Sequence, residues 1–347
     1  MKALVYHGPG QILWEEKPNP TLQENSDVIV KVLKTTICGT DLHILKGDVS
    51  TVVAGRVLGH EGVGVITAVG TSVTNFEVGD HVVISCITSC GKCESCKHSM
   101  LSHCETGGWI LGNTIDGTQA EFVRIPHADN SLYLIPLEAD EEGMVMLSDV
   151  LPTAFECGVL NGKIKPADTV AIIGAGPIGL AVLLTAQFYT PSMLIVVDRD
   201  ANRLQVAHDY GATHIIDSRI ENAYEEVMKL TKGKGVNVAI EAVGIAATFE
   251  FCEEIIAVGG HVANIGVHGN SAILKLESLW SRNVTITTGL VDTSTAATLL
   301  ELVQVGKLDP QKLITHRFKL DQMIEAYAAF GDASNIKALK VILTNEN

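Results

Sequence analysis

Basic clusters are missing from this chain: against 40 Asp and Glu it carries only 25 Lys and Arg, a formal charge of −15. Nucleic-acid binding rests on grouped Lys and Arg, so a polyanionic partner is excluded. Long apolar runs are missing too. The longest, around 170–186, is broken by Gly174, Gly176, Pro177 and Gly179, and it falls short of the ~20 residues a membrane helix needs. The opening Met1-Lys2-Ala3-Leu4-Val5-Tyr6-His7 has no apolar signal segment, which points to the reducing cytoplasm. No low-complexity linker or internal repeat is visible. The 347 residues exceed one ordinary core, so two domains are expected.

What is present is concentrated. Four of the eight cysteines, Cys90, Cys93, Cys96 and Cys104, fall in Cys-Gly-Lys-Cys-Glu-Ser-Cys-Lys-His-Ser-Met-Leu-Ser-His-Cys. Thiolates this close can surround one Zn²⁺ tetrahedrally and leave no open position, as a structural site does. The competing reading is disulfide formation, which a reducing compartment disfavours.

Further on, Ile172-Ile173-Gly174-Ala175-Gly176-Pro177-Ile178-Gly179 is followed, roughly 20 residues later, by Asp198. Glycines at these positions let a strand turn sharply, bring N–H groups near a pyrophosphate and pack the next helix on the sheet. Pro177 and Ile178 open that helix, whose N-terminus attracts an anion. Asp198 is placed to accept hydrogen bonds from the adenosine ribose. It would repel a 2′-phosphate by roughly 3 kcal/mol at ~5 Å and an effective dielectric near 20, which favours NAD over NADP. Arg199 keeps NADP open, since a guanidinium can pair with that phosphate; otherwise it is a solvated loop cation. Arg203, on the following helical stretch, is grouped with the coenzyme residues.

The first roughly 140 residues read as short β-branched strands between glycine turns, at 27–33, 62–70 and 78–84, and suggest a small, mostly antiparallel barrel. From about Asp149 the pattern changes. Strands at 170–173, 194–197, 236–240, 261–265 and 284–288 alternate with helices at 177–189, 201–210 and 245–258. That alternation predicts a parallel, doubly wound sheet. A helix at 296–305 and a strand at 340–343 follow.

Three segments outside the lobe carry metal-ligand types: Ile37-Cys38-Gly39-Thr40-Asp41-Leu42-His43, Leu58-Gly59-His60-Glu61-Gly62 and Leu147-Ser148-Asp149-Val150. Singly each has an ordinary reading: Cys38 as core filler, His60 as a turn residue, Asp149 as a helix cap. Spacing alone leaves a second zinc open.

Jointly, Cys-Gly-Thr-Asp-Leu-His, Gly-His-Glu, Val-Gly-Asp-His-Val, the cysteine lobe and Gly-Ala-Gly-Pro-Ile-Gly resemble the medium-chain, zinc-dependent alcohol dehydrogenase family over essentially the whole chain. Gly108-Trp109, Asp116-Gly117 and Leu147-Ser148-Asp149 place it nearest the microbial secondary-alcohol dehydrogenases, which often lack the lobe present here. The resemblance implies an α/β protein. A GroES-like β-rich catalytic domain would span 1–149 and 290–347, with the zinc lobe at about 86–108. A Rossmann domain, a doubly wound parallel sheet binding the coenzyme, would span 150–289.

The resemblance further implies two zinc ions per chain. Cys38, His60 and Asp149 would hold the catalytic one, and Glu61 is a carboxylate able to exchange onto it as a fourth ligand. Many members carry Cys where Asp149 stands; Cys157 is a rival by residue type, but sits too far along to share a metal. Thr40 and His43 correspond to the proton relay, and Trp109 to a wall of the substrate pocket. Thr153 would touch the nicotinamide, Val243, Ile265, Gly266 and Val267 would line the cofactor cleft, and Lys340 would pair with the pyrophosphate. NAD(H) is the expected coenzyme, with NADP(H) the alternative.

The implied reaction is hydride transfer between NAD(H) and a small neutral alcohol, secondary foremost, giving a ketone or aldehyde. Polyol, threonine and formaldehyde dehydrogenases share the motifs. A charged substrate needs an Arg or Lys in the pocket, and none is evident near Trp109 or Asp149. A non-catalytic zinc- and nucleotide-sensing module would leave Cys38, His60 and Asp149 without a purpose. A homo-oligomer, a tetramer ahead of a dimer, is expected through the edge strand near 284–291.

Overall fold

A computed structural model describes residues 1–346. The chain forms two compact units, Met1–Asp149 with Asp292–Asn347, and Val150–Val291.

In the first unit the central strand is Val28–Thr36, antiparallel to Gly62–Val69, Phe122–Ile125 and Lys340–Thr344. The sheet runs Ile314–Lys319, Lys340–Thr344, Val28–Thr36, Gly62–Val69, His81–Ile84, Leu132–Leu134, and only its first pair is parallel. Alternation puts Val28, Val30 and Val32 on one face, against Ile66, Val82, Ile84 and Ile125. Register shifts at Ile29/Val30 and Val32/Lys34 mark bulges that bend this strand. A second core joins Leu4, Ile37, Ile44 and Leu58 to Met323, Ala326, Tyr327 and Phe330 of the helix Met323–Gly331. The C-terminal return thus packs on the segments that carry Cys38 and His60.

The second unit is a six-stranded parallel sheet. Its order is His214–Asp217, Met193–Asp198, Thr169–Ile173, Val236–Glu241, Ile256–Asn264, Thr285–Thr288. Val170, Ala171 and Ile172 are wholly buried, as a strand covered on both faces requires. The order reverses beside Thr169–Ile173, so a crevice opens at its carboxyl end, where doubly wound folds bind nucleotides.

Several element boundaries differ from the sequence expectation: the strand expected over 78–84 is only His81–Ile84, and that over 27–33 runs on as Val28–Thr36. The helix expected over 245–258 is Ala246–Ile255, and the next strand starts at once, Ile256–Asn264, rather than at His261. Ile256 and Val258 are β-branched, and Val236 pairs with Ile256 while Val238 pairs with His261, so residues around Gly259 and Gly260 form a bulge. The helix expected over 177–189 is α-helical at Pro177–Ala186 and tightens to a 3₁₀ turn at Gln187–Tyr189. Among the described residues no helix is long and apolar enough to cross a membrane.

Candidate metal centres and coenzyme site

In the lobe, Sγ atoms of Cys90, Cys93, Cys96 and Cys104 all lie within 4.8 Å of one another. No disulfide joins cysteines among the described residues. Backbone N–H groups converge on the sulfurs: Cys90 N donates to Cys104 Sγ at 3.2 Å, and Cys93 N to Cys90 Sγ at 3.4 Å. Burial opposes ionisation of Cys90, yet N–H donation from Lys92 and Cys93 outweighs it and brings its pKa to about 6. Cys96 moves the other way, to about 12, through burial and neighbouring thiols. Four sulfurs this close cannot all ionise without a cation between them, so the donor set fits zinc.

The second cluster is assembled from remote segments. Donor atoms of Cys38, His60, Glu61 and Asp149 also lie within 4.8 Å of one another. Cys38 follows the strand Val28–Thr36 and caps the helix Gly39–Lys46, with its N–H held by Asp41 Oδ2 at 2.9 Å. His60 and Glu61 precede the strand Gly62–Val69, and the Glu61 carbonyl accepts from Thr35 Oγ1 and Thr118 Oγ1, both at 2.8 Å. Asp149 is aimed by its neighbour: Ser148 Oγ bridges Gly62 N at 3.1 Å and Gly62 O at 3.2 Å. His60 Nε2 stands 3.3 Å from Asp149 Oδ2, and Cys38 Sγ 3.9 Å from the same oxygen. Tetrahedral zinc with bonds of about 2.0–2.3 Å separates its ligand atoms by about 3.3–3.8 Å, so these three side chains fit the ion.

The electrostatics agree. Burial lowers the His60 pKa, but hydrogen bonds with Asp149 and Cys38 outweigh it and hold the ring well above its usual value. Asp41 is wholly buried and its carboxyl is raised by that burial, with His60 opposing. Three carboxylates and a thiol face one imidazole and one ammonium, an arrangement that asks for a further cation.

The ammonium belongs to Lys340, the residue expected from the resemblance to pair with the pyrophosphate. Its Nζ lies buried at 2.8 and 3.0 Å from the two Glu61 carboxylate oxygens and 3.4 Å from Ile37 O. Burial raises the Glu61 carboxyl while Lys340 opposes the shift. With both oxygens engaged, Glu61 is the outlying member, 4.0 Å from His60 Nε2.

Thr40 Oγ1 is 3.8 Å from Cys38 Sγ, and His43 Nδ1 meets Asp48 Oδ2 at 2.9 Å on an open face. Trp109 stands edge-on to His60, ring centroids 6.2 Å apart. Cys157, buried in Ala154–Leu160 of the second unit, is outside both metal-binding groups. Asp41, Gln119 and Tyr327, which the sequence reading passed over, connect to this cluster. Asp41 was inside a quoted motif, but Gln119 and Tyr327 follow no pattern that could have found them.

In the second unit Gly174 turns at φ +104°. A Cβ at Gly179 would fall 1.8 Å from Gly174 O, so the helix Pro177–Ala186 meets the strand only through glycine. Asp198 closes the turn: Oδ2 accepts from Ala175 N, and Oδ1 from Arg199 N and Asp200 N. A cavity of about 570 Å³ beside it is lined by Gly174, Gly176, Asp198, Arg199, Arg203 and Val243. Ser218 and Phe251 line it too; Ser218's place just beyond the strand His214–Asp217 was the signal that could have found it, whereas Phe251 sits within the helix Ala246–Ile255. Arg219, nearby in sequence, is tied to Asp217 at 2.7 Å. Ile265 and Gly266 are half-buried and Val267 exposed, in the loop after Ile256–Asn264. Thr153, half-buried, ends the short helix Val150–Thr153.

Two metal-binding constellations and a dinucleotide crevice define a zinc-dependent oxidoreductase. Comparison with known proteins agrees. Residues 24–137 match the family described as alcohol dehydrogenase GroES-like domain, and residues 177–304 the family described as zinc-binding dehydrogenase. An alcohol dehydrogenase of Cupriavidus necator is 34% identical, covering 96% of this chain and 95% of its own. The apo structure of zinc dependent alcohol dehydrogenase 2 from Streptococcus pneumonia is 52% identical, covers 100% and 99% of the two chains, and superposes with a TM-score of 0.96. Alcohol dehydrogenase TADH from Thermus sp. ATN1 is 33% identical over 100% of both chains, with a TM-score of 0.93. The chain belongs to the medium-chain, zinc-dependent alcohol dehydrogenase family.

Proposed function

We propose that this protein oxidises small neutral alcohols, secondary alcohols foremost, with NAD(H) as coenzyme, and reduces the corresponding ketones or aldehydes. One observation carries the reading: a thiol, an imidazole and a carboxylate converge at Cys38, His60 and Asp149 from segments up to 111 residues apart. Three protein donors are the number that leaves a zinc position open to substrate. Zinc held there would supply Lewis acidity to an alcohol oxygen, and a nicotinamide would accept the hydride.

The chain's own groups do the rest. Glu61 is held back on Lys340, so it leaves the open position to substrate. Thr40 would accept a hydrogen bond from the substrate hydroxyl while giving up its own hydroxyl proton to the relay, and His43, half-exposed beside Asp48, would be the member of that relay that exchanges a proton with solvent. Trp109 gives the substrate an apolar wall next to His60. The glycine turn and helix N-terminus at Gly174–Gly179 receive the pyrophosphate, and the anchored Asp198 carboxylate receives the ribose and rejects a 2′-phosphate. Thr153, Val243, Ile265, Gly266 and Val267 remain assigned to the nicotinamide side. The lobe holds a second, structural zinc. Family resemblance supports a cytoplasmic homo-oligomer, a tetramer ahead of a dimer.

Turnover with NAD and NADP, across primary alcohols, secondary alcohols, diols and threonine, tests the reading. Highest kcat/KM for small secondary alcohols with NAD is expected; a preference for threonine or for NADP would refute the substrate or coenzyme assignment.

A further inference from the structure

His60 can offer Nε2 to a metal only if its other nitrogen, Nδ1, keeps the proton and finds an acceptor for it. The carboxylate oxygen that faces it is Asp41 Oδ1, at an ion-pair distance of 4.0 Å and buried with no hydrogen-bond partner, so it is free to accept that proton. The second oxygen, Oδ2, is anchored twice, by Cys38 N at 2.9 Å and by Gln119 Nε2 at 3.2 Å. Asp41 is therefore aimed by its Oδ2 contacts, and one of those contacts is an amide that could be turned either way.

Thr36 O on one side and Tyr327 on the other remove that choice. The Tyr327 hydroxyl donates to Gln119 Oε1 at 2.7 Å, while Gln119 Nε2 donates to Thr36 O at 3.1 Å as well as to Asp41. A flipped amide would set an oxygen lone pair against the Thr36 carbonyl and the Asp41 carboxylate, and would turn the phenol from donor to acceptor, taking away the acceptor its proton now has. Every member is enclosed: Gln119 is 0% and Tyr327 4% exposed, so water cannot repair a wrong orientation. Gln119 is also pinned against the backbone that carries His60. A Cβ at Gly59 would meet Gln119 Cγ at 2.6 Å and Gln119 N at 2.8 Å.

We propose that Tyr327 is a positioning residue for the catalytic metal, acting through Gln119 and Asp41 to hold His60 with Nε2 toward the ion. This rests on the reading of Cys38, His60 and Asp149 as a zinc site. Outer hydrogen-bond partners of metal ligands are worth about 10–100-fold in affinity. A partner acting at one remove, as Tyr327 does, should fall near the lower end. Its helix belongs to the C-terminal return, so the device lets the last quarter of the chain govern a centre built from the first half.

The test is zinc release to a graded chelator from the full-length protein, read as metal per chain for the wild type, Tyr327→Phe, Gln119→Leu and the double variant. The four-cysteine lobe in the same chain is the internal reference. Tyr327→Phe should weaken the catalytic zinc about tenfold and leave the lobe zinc unchanged. In the Gln119→Leu background it should cause no further loss, because the path it uses is already cut. A fall in melting temperature with unchanged release of the catalytic zinc would show mere packing and overturn the proposal. So would an equal effect of Tyr327→Phe in the double variant. A wild-type chain holding only the lobe zinc would instead refute the underlying site, and this inference with it.

Discussion

The two metal clusters of the first unit are built in opposite ways. Lobe ligands Cys90 to Cys104 come from one short loop, with backbone N–H groups of the same loop turned onto the sulfurs. Cys38 and Asp149 are 111 residues apart and meet only because strand, helix cap and Ser148 bring them together. A local cluster of four thiols would close around an ion with sulfur on every side. A cluster drawn from the whole fold presents mixed donors, with Lys340 and Asp41 balancing its charge. On the proposed reading, the first would hold the protein together and the second would give it chemistry.

Substitutions at the remote cluster should therefore act on turnover and those at the lobe on stability. Cys38→Ser or His60→Ala is expected to lower kcat/KM by more than the about 100-fold that outer-shell changes cause, with coenzyme affinity retained in equilibrium titration. Undiminished turnover in either variant would break the distinction. Lys340→Met comes next. It strands the buried Glu61 carboxylate, which should destabilise the fold by about 3–5 kcal/mol in chemical denaturation; a neutral result would mean that Glu61 finds another partner. In the other unit, Asp198→Asn removes a repulsion of roughly 3 kcal/mol, so the NAD to NADP ratio of kcat/KM should fall by up to about 100-fold. An unchanged ratio would hand coenzyme choice to Arg199 and Arg203.

The smallest expected effect is on pH. In the metal-free chain the His60 pKa is raised. Protonated His60 thus adds stability that is fully present below the ordinary histidine range, near 6.5, and is lost as pH rises through the folded-state value. Zinc must displace that proton, so affinity at this site should climb with pH through the same interval. Isothermal titration at several pH values would check the slope and the proton release, and a flat profile would contradict the His60–Asp149 contact.

How much of this could be read from the sequence follows the same division. The lobe, the glycine turn and Asp198 were legible because each is a contiguous pattern whose spacing has a mechanism. The alternation of buried runs with helices gave the parallel sheet, although the bulge at Gly259 and Gly260 hid where the fifth strand begins. Cys38, His60 and Asp149 were separable from core filler only through the joint resemblance to a family. The contact of the Lys340 ammonium with Glu61, a partner 279 residues away, had no signal in the sequence. Gln119 and Tyr327 carry no local signal, since a buried amide and a phenol acquire meaning only from what stands opposite them.

Anomalous scattering from crystals of the zinc-loaded protein, measured on both sides of the zinc edge, tests the central claim most directly. Two peaks per chain are predicted, one enclosed by Cys90, Cys93, Cys96 and Cys104, the other bounded by Cys38, His60 and Asp149 with Glu61 still on Lys340. A single peak in the lobe, with the remote cluster empty at saturating zinc, would contradict it.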